Sequence, residues 1–253
     1  MDLGYNRNHG KWFANDVLRA IRRYGLIGEG ERVCVGLSGG KDSATLLFAL
    51  WYLRQYSRLD CHLSAIHIRM APDYDSSPLR GYCGILGVPY FESALDLKEH
   101  AVTGSVCAAC ARLKRGAAAR VLVEQGIGTI AYGHHATDVA ETLLMNIVQH
   151  KRLGSFAPKV AVPGTPLTII RPMVYLTEET VAAVHRRLGL PLLPVTCPHA
   201  EVNIRARYKE ALRHLAEQLR APRLASRVMQ ALENVGHHSP TGASGDGMCR
   251  RTP

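Results

Sequence analysis

Two hydrophobic periods take turns along this chain. In Lys11–Tyr24 the apolar positions Phe13, Val17, Leu18 and Ile21 fall at helical spacing, with Arg19, Arg22 and Arg23 on the other side. Short apolar runs then read as strands: Arg32–Leu37, Leu63–Ile68, Val88–Glu92, Thr129–Tyr132 and Leu167–Ile170. Between and after them lie helical stretches at Ser43–Tyr56, Ser77–Leu86, Cys110–Gln125, Thr137–Val148 and Glu178–Leu188. This alternation predicts an α/β fold, a doubly wound, mostly parallel five-stranded sheet with helices on both faces joined by right-handed crossovers. Ligands on such sheets bind at the carboxyl ends of the strands.

From Glu201 the pattern turns all-helical. Ile204, Tyr208, Ala211, Leu212 and Leu215 form one stripe, and Leu224, Val228, Met229 and Leu232 another. Arg205, Arg207, Lys209, Arg213, Arg220, Arg223 and Arg227 decorate them. The expected organisation is an N-terminal helical segment over 1–28, the sheet-bearing domain over 29–200 and a basic helical extension over 201–235. Residues 236–253, rich in Gly, Ser, Pro and Thr, are expected to be a disordered tail. The longest apolar run, Ala44–Leu53, is too short for a bilayer span and reads as a buried helix. No apolar stretch of signal-peptide kind follows the N-terminus, so a cytoplasmic protein is expected.

Charge narrows the partners. Lys and Arg number 31 against 21 Asp and Glu, a formal net charge of +10, which suits a polyanion such as nucleic acid. The seven cysteines are odd in number and unevenly spaced, so metal binding or catalysis comes forward ahead of a disulfide framework.

The clearest motif is Ser38-Gly39-Gly40-Lys41-Asp42-Ser43, directly after an apolar strand and before a helix. Adjacent glycines let the backbone bring N–H groups close to an anion, and the helix points its positive end at the same place. Ser38 and Ser43 add hydroxyl donors and Lys41 a charge. A Walker A loop is excluded by spacing, since Gly36 precedes Gly40 by too few residues and Asp42 follows Lys41. No G-x-G-x-x-G occurs here, which excludes a Rossmann fingerprint. The six residues resemble the pyrophosphate-binding loop of the PP-loop ATPase superfamily. That resemblance implies ATP cleavage between the α- and β-phosphates and adenylation of a carbonyl or carboxylate oxygen.

Cys107 and Cys110, spaced C-x-x-C, open a strongly helical run, and Cys197 lies in a separate loop. Three thiolates can hold a cubane iron–sulfur cluster with one iron left open. Zinc with His199 or His134 as fourth ligand is an alternative, and a redox dithiol another. Cys34 reads as a buried hydrophobe, while Cys61, Cys83 and Cys249 belong to no motif.

The run from Cys107 to Gly116 resembles the C-x-x-C-x-R-L-[KR]-R-G segment of the tRNA 2-thiocytidine synthetases and their thiouridine-forming relatives. Gly133-His134-His135-Ala136-Thr137-Asp138 with Glu141-Thr142, then Ile170-Arg171-Pro172-Met173, then Cys197 with Arg205, Arg207 and Lys209, are similar to further segments of that family in the same order. The resemblance covers roughly Lys11 to Leu215. It implies an ATP-dependent tRNA sulfurtransferase in which Cys107, Cys110 and Cys197 hold a 4Fe-4S cluster. It implies nucleotide binding by Ser38, Gly39, Gly40, Lys41, Asp42 and Ser43, with His67, Gly133, His134 and Asp138 around the pocket, and catalytic roles for Asp138, Lys114 and Lys41. ATP with Mg²⁺, tRNA, and a sulfur donor such as a cysteine desulfurase or sulfide are the implied cofactors and partners; no membrane is implied, and a homodimer is compatible. The chain departs from the family at Thr137, where an aspartate is common, and in lacking the paired cysteines of zinc ribbons. The second departure points to 2-thiolation of cytidine. Thiolation of another base or of a small molecule, a zinc-binding PP-loop ligase and an RNA-binding scaffold are the competing readings.

Overall fold

The computed structural model describes residues 6–70, 75–95, 106–193 and 204–235. A short helix α1 (Arg7–His9) and a π-helical turn (Gly10–Ala14) lead into α2 (Asn15–Tyr24). Then follow β1 (Glu31–Leu37), α3 (Lys41–Tyr56), β2 (Cys61–Arg69), α4 (Ser77–Ile85), β3 (Tyr90–Ala94), α5 (Val106–Glu124) and β4 (Thr129–Ala131). The chain continues through α6 (Ala136–His150), β5 (Lys159–Ala161), β6 (Thr168–Ile170), α7 (Glu178–Leu188), α8 (Ile204–Gln218) and α9 (Leu224–Asn234).

The strands form one six-stranded sheet in the order β3-β2-β1-β4-β6-β5. The five strands expected from the sequence are mutually parallel, with β1 central between β2 and β4. The sixth, β5, was not expected. It pairs antiparallel with β6 at the edge, Val160 opposite Ile169, and its three residues are too few and too exposed to carry an alternating pattern. Strand order reverses at β1, so the crevice beyond the carboxyl ends of β1 and β4 is the expected ligand position.

The pleat of β1 sorts its side chains between two cores. Val33, Val35 and Leu37 join the larger core with Phe13, Val17 and Ile21 before and within α2, the buried face of α3, and Val181 and Val184 of α7. Cys34 points the other way, into a smaller core with Ala118, Ala119 and Leu122 of α5. The helix α3 is buried on nearly every side, so it carries apolar residues almost throughout. Met229 and Leu232 of α9 also enter the larger core. There Glu233 Oε1 accepts hydrogen bonds at 2.5 Å from both the Tyr24 and the Tyr175 hydroxyls. Arg19 stacks on the Tyr175 ring, 4.1 Å from its centre. One carboxylate thus fastens the last described helix to the first long one. The expected tail, 236–253, lies outside the described residues.

Candidate active site

The phosphate loop turns where the sequence says it should. Gly39 takes a φ of +85°, a conformation that L side chains rarely adopt. The loop's hydroxyls first satisfy the loop itself. Ser43 Oγ accepts from the Ser38 N–H at 3.1 Å and lies 3.0 Å from the Gly40 carbonyl oxygen, to which it donates. Ser38 Oγ accepts from the Gly40 N–H at 3.2 Å. Helix α3 starts at Lys41, two residues earlier than its sequence pattern suggests, because Gly40 supplies the extended N-cap position. Gly40 carries no side chain to cap the helix, so the first N–H groups face outward with the positive end of the helix dipole behind them. Such a helix start can hold an anion.

Gly133, at the end of β4, explains itself by contact. A Cβ there would lie 2.8 Å from the Asp42 carbonyl carbon and oxygen. The β4–α6 turn therefore rests directly against the phosphate loop. It brings His135 between two carboxylates, with Nδ1 3.2 Å from Asp138 Oδ2 and Nε2 3.8 Å from Asp42 Oδ1. Asp138 also accepts the His135 N–H at 2.8 Å, capping α6. One oxygen of this catalytic candidate thus serves the helix end.

His134 packs between the rings of Tyr132 and Phe156, the latter 5.1 Å away. Burial, with Arg171 nearby, lowers its pKa to about 4, so it is neutral at pH 7. Arg171 stacks on Phe156 at 4.7 Å and donates to the Ala157 carbonyl; burial lowers its pKa to about 10. These two residues form a packed wall behind the turn. His67 is buried at the end of β2, its Nδ1 2.7 Å from the Leu37 carbonyl oxygen, and burial lowers its pKa. Lys114 on α5 is close enough to lower it further.

Three charged residues outside the expected nucleotide set join the site. Glu178, first residue of α7, accepts from Lys41 Nζ at 3.1 Å and from Lys209 of α8. Burial opposes the Lys41 charge, but Asp42 and Glu178 outweigh it and raise its pKa. Glu141, one turn beyond Asp138, is buried, and burial first and Asp138 second raise its pKa to about 7. No sequence signal separated Glu178 from an ordinary helix-opening acid. Glu141 was visible only as part of the resembling segment.

Cys107 and Cys110 fall three positions apart in the first turns of α5, inside the helix rather than ahead of it. The Cys110 thiol is half-buried and free, as an iron or zinc ligand site requires. Cys197 lies outside the described residues, and among the described residues no group of three or more His, Cys, Asp and Glu is arranged to hold a metal ion. A C-x-x-C pair of thiolates suits a soft metal centre. Cys34, Cys61 and Cys83 are buried in the cores, and burial raises the Cys34 thiol to about 12. A cleft of about 570 Å³ opens among α6, α7, α8 and α9, lined by Thr137, Glu178, Lys209, Arg213 and Arg220 among others and by no residue of the Ser38–Ser43 loop.

A loop with these contacts at the carboxyl end of a central parallel strand has its counterpart among known proteins. The family model described as the PP-loop domain matches residues 13–193. The chain belongs to the PP-loop family. It is 38% identical over 226 residues to a tRNA-cytidine(32) 2-sulfurtransferase of Syntrophotalea carbinolica, covering 86% of each chain. It is 35% identical to the protein of that name from Pelobacter propionicus, over 86% of this chain and 83% of that one. Among solved structures, the U34-tRNA thiolase NcsA of Methanococcus maripaludis, determined with its 4Fe-4S cluster, shares the PP-loop fold. The two superpose with a TM-score of 0.68 at 21% identity, over 88% of this chain and 78% of that one. Among the described residues no helix of this PP-loop protein is long and apolar enough to cross a membrane.

Proposed function

We propose that the protein is a cytoplasmic ATP-dependent tRNA sulfurtransferase that converts a cytidine to 2-thiocytidine. The observation that carries the reading is the loop of Ser38–Ser43 abutting the turn of Asp138, within a chain similar over most of its length to tRNA-cytidine(32) 2-sulfurtransferases.

The α3 N–H groups, Lys41 and the loop backbone hold the β- and γ-phosphates, which leave as pyrophosphate. The base carbonyl oxygen bonds to the α-phosphorus as the α–β anhydride breaks. A sulfur nucleophile then bonds to the activated carbon, and AMP departs with the original oxygen. Asp42 and Asp138 border the triphosphate position and would hold the Mg²⁺ that travels with ATP. Lys114 orients the α-phosphate or the incoming sulfur. The residues Cys107, Cys110 and Cys197 would hold a 4Fe-4S cluster, which supplies a soft, sulfur-compatible iron site when bound. A cysteine desulfurase or sulfide is the class of donor this chemistry needs. Helix α8, with Arg205, Arg207 and Lys209, offers charge for the RNA backbone.

The test is reconstitution under anaerobic conditions with MgATP, sulfide and unmodified tRNA, read by nucleoside mass spectrometry and AMP release. A 2-thiolated cytidine with AMP formed alongside it supports the reading. AMP release without any thiolated nucleoside moves the protein to the ligase alternative.

A further inference from the structure

Glu178 lies in none of the sequence motifs, yet its carboxylate joins two of them. Its Oε1 is 3.1 Å from Lys41 Nζ, in the phosphate loop, and 2.5 Å from Lys209 Nζ, on the basic helix α8. Its side chain is only 19% exposed, against 31% for Lys41 and 49% for Lys209, so the acid is the fixed member of the trio. It is fixed from behind as well. Thr137 Oγ1 accepts the Glu178 N–H at 3.1 Å, and Thr177 caps the same turn by accepting from the Thr180 N–H. The first turn of α7 favours a negative charge at this position. The Thr137 hydroxyl therefore anchors the backbone of Glu178.

We propose that Glu178 is a positioning residue that couples the nucleotide site to the basic helix, one carboxylate oxygen holding Lys41 over the phosphate loop and Lys209 on α8. The proposal rests on the ATP- and RNA-dependent reading of this site. Glu178 is the carboxylate the two ammonium groups share, and Asp42 Oδ1 lies 3.1 Å from Lys41 Nζ as well, so the two cations and two anions balance. Removing the Lys209 charge leaves Lys41 facing both Glu178 and Asp42, and a polyphosphate is attracted less. Removing the Glu178 charge has the opposite effect on attraction but leaves Lys41 held by Asp42 only, shifted from its place between the two carboxylates. Nucleotide affinity and turnover then move apart, which a residue that only packs α7 does not produce. Affinity at the loop also responds to a lysine on another helix, and the response requires Glu178.

The experiment is calorimetric binding of a non-hydrolysable ATP analogue to the wild-type protein, Lys209→Met, Glu178→Gln and the double variant. AMP-forming turnover with tRNA is measured on the same proteins. Lys209→Met is expected to weaken analogue binding about three- to fivefold, the range of a partly exposed ion pair. That loss should shrink to less than twofold in the Glu178→Gln background, because contacting residues are non-additive. Glu178→Gln alone should keep or tighten analogue binding while turnover falls about tenfold from misplacement of Lys41. Additive effects, or a Glu178→Gln protein that loses affinity and turnover together, would overturn the coupling. A wild-type protein that does not bind the analogue at all would instead overturn the ATP reading on which it rests. Unchanged unfolding temperature across the set separates the coupling from a folding defect.

Discussion

At the scale of single residues, Glu141 and His134 pull the pH dependence of stability in opposite directions. Glu141 is an acid whose pKa rises on folding to about 7, so the native state holds a proton that the unfolded state has released. Its contribution is present at low pH and is lost as pH rises from about 4.5 to 7. His134 is a base whose pKa falls on folding to about 4. Its contribution is present above pH 6.5 and is lost as pH falls towards 4. The two slopes oppose one another between about pH 5 and 6.5, so the wild-type protein keeps only a gentle loss on acidification, to which the lowered pKa of His67 contributes. In Glu141→Gln the histidine slopes are left unopposed, and stability should fall on acidification by about 1–2 kcal/mol more than in the wild-type protein across that window. Thermal unfolding at closely spaced pH values checks it; parallel curves for the two proteins would refute the offset. Gly133 carries a steric prediction. Gly133→Ala forces its Cβ against the Asp42 backbone, which cannot swing aside as a flexible side chain would. The expected cost is about 1–3 kcal/mol of stability, together with weaker ATP binding.

At the scale of elements, the charged helices and the cysteine-bearing helix make separable predictions. If α8 meets RNA phosphates, the joint change of Arg205, Arg207 and Lys209 to Ala should weaken tRNA binding. It should also lower the slope of log K against log salt by about 0.9 for each duplex phosphate left without its cation. Arg207 lies outside the Glu178 trio, so changing it alone should leave ATP-analogue affinity untouched, whereas Arg205 is near enough to act on His134 and Glu141. On α5, Cys107→Ala or Cys110→Ala should each abolish the brown colour and the roughly four irons expected of anaerobically purified protein. Cys61→Ala should not, because its thiol sits in the larger core. Stoichiometric zinc in colourless, active protein would decide against the cluster. Much at this scale could be read from sequence. The β1 pattern, the glycines of the loop and the bounds of α7 all express local rules: alternation, left-handed φ and capping. Edge strand β5 could not be read, since three half-exposed residues leave no period. Nor could the Glu178 contacts, because Lys41, Glu178 and Lys209 meet only when three helices pack. Asp138 shows the converse. Its motif was legible, and an acid at the start of a helical run is also an ordinary cap, which its bond to the His135 N–H bears out.

At the scale of the whole molecule, the hydroxyls of Tyr24 and Tyr175 converge on Glu233 from residues far apart in sequence. Glu233→Ala leaves both hydroxyls without that acceptor. It should lower stability by about 2 kcal/mol, or about 4–8 °C in Tm. Glu233→Gln, which still accepts through its amide oxygen, should recover part of the loss in the same thermal scan. The fastening also has a consequence for how the chain is made. Tyr24 leaves the ribosome 209 residues before the carboxylate that accepts its hydrogen bond. At ribosomal rates of about 5–20 residues per second, α2 waits on the order of ten seconds or more for its final partner. Its apolar stripe is meanwhile covered only by what has already emerged. Synthesis thus proceeds with Tyr24 unfastened and the larger core still lacking Met229 and Leu232, and the arrival of α9 supplies both. A pulse of protease applied to ribosome-bound chains should therefore cut more readily until Glu233 has cleared the exit tunnel.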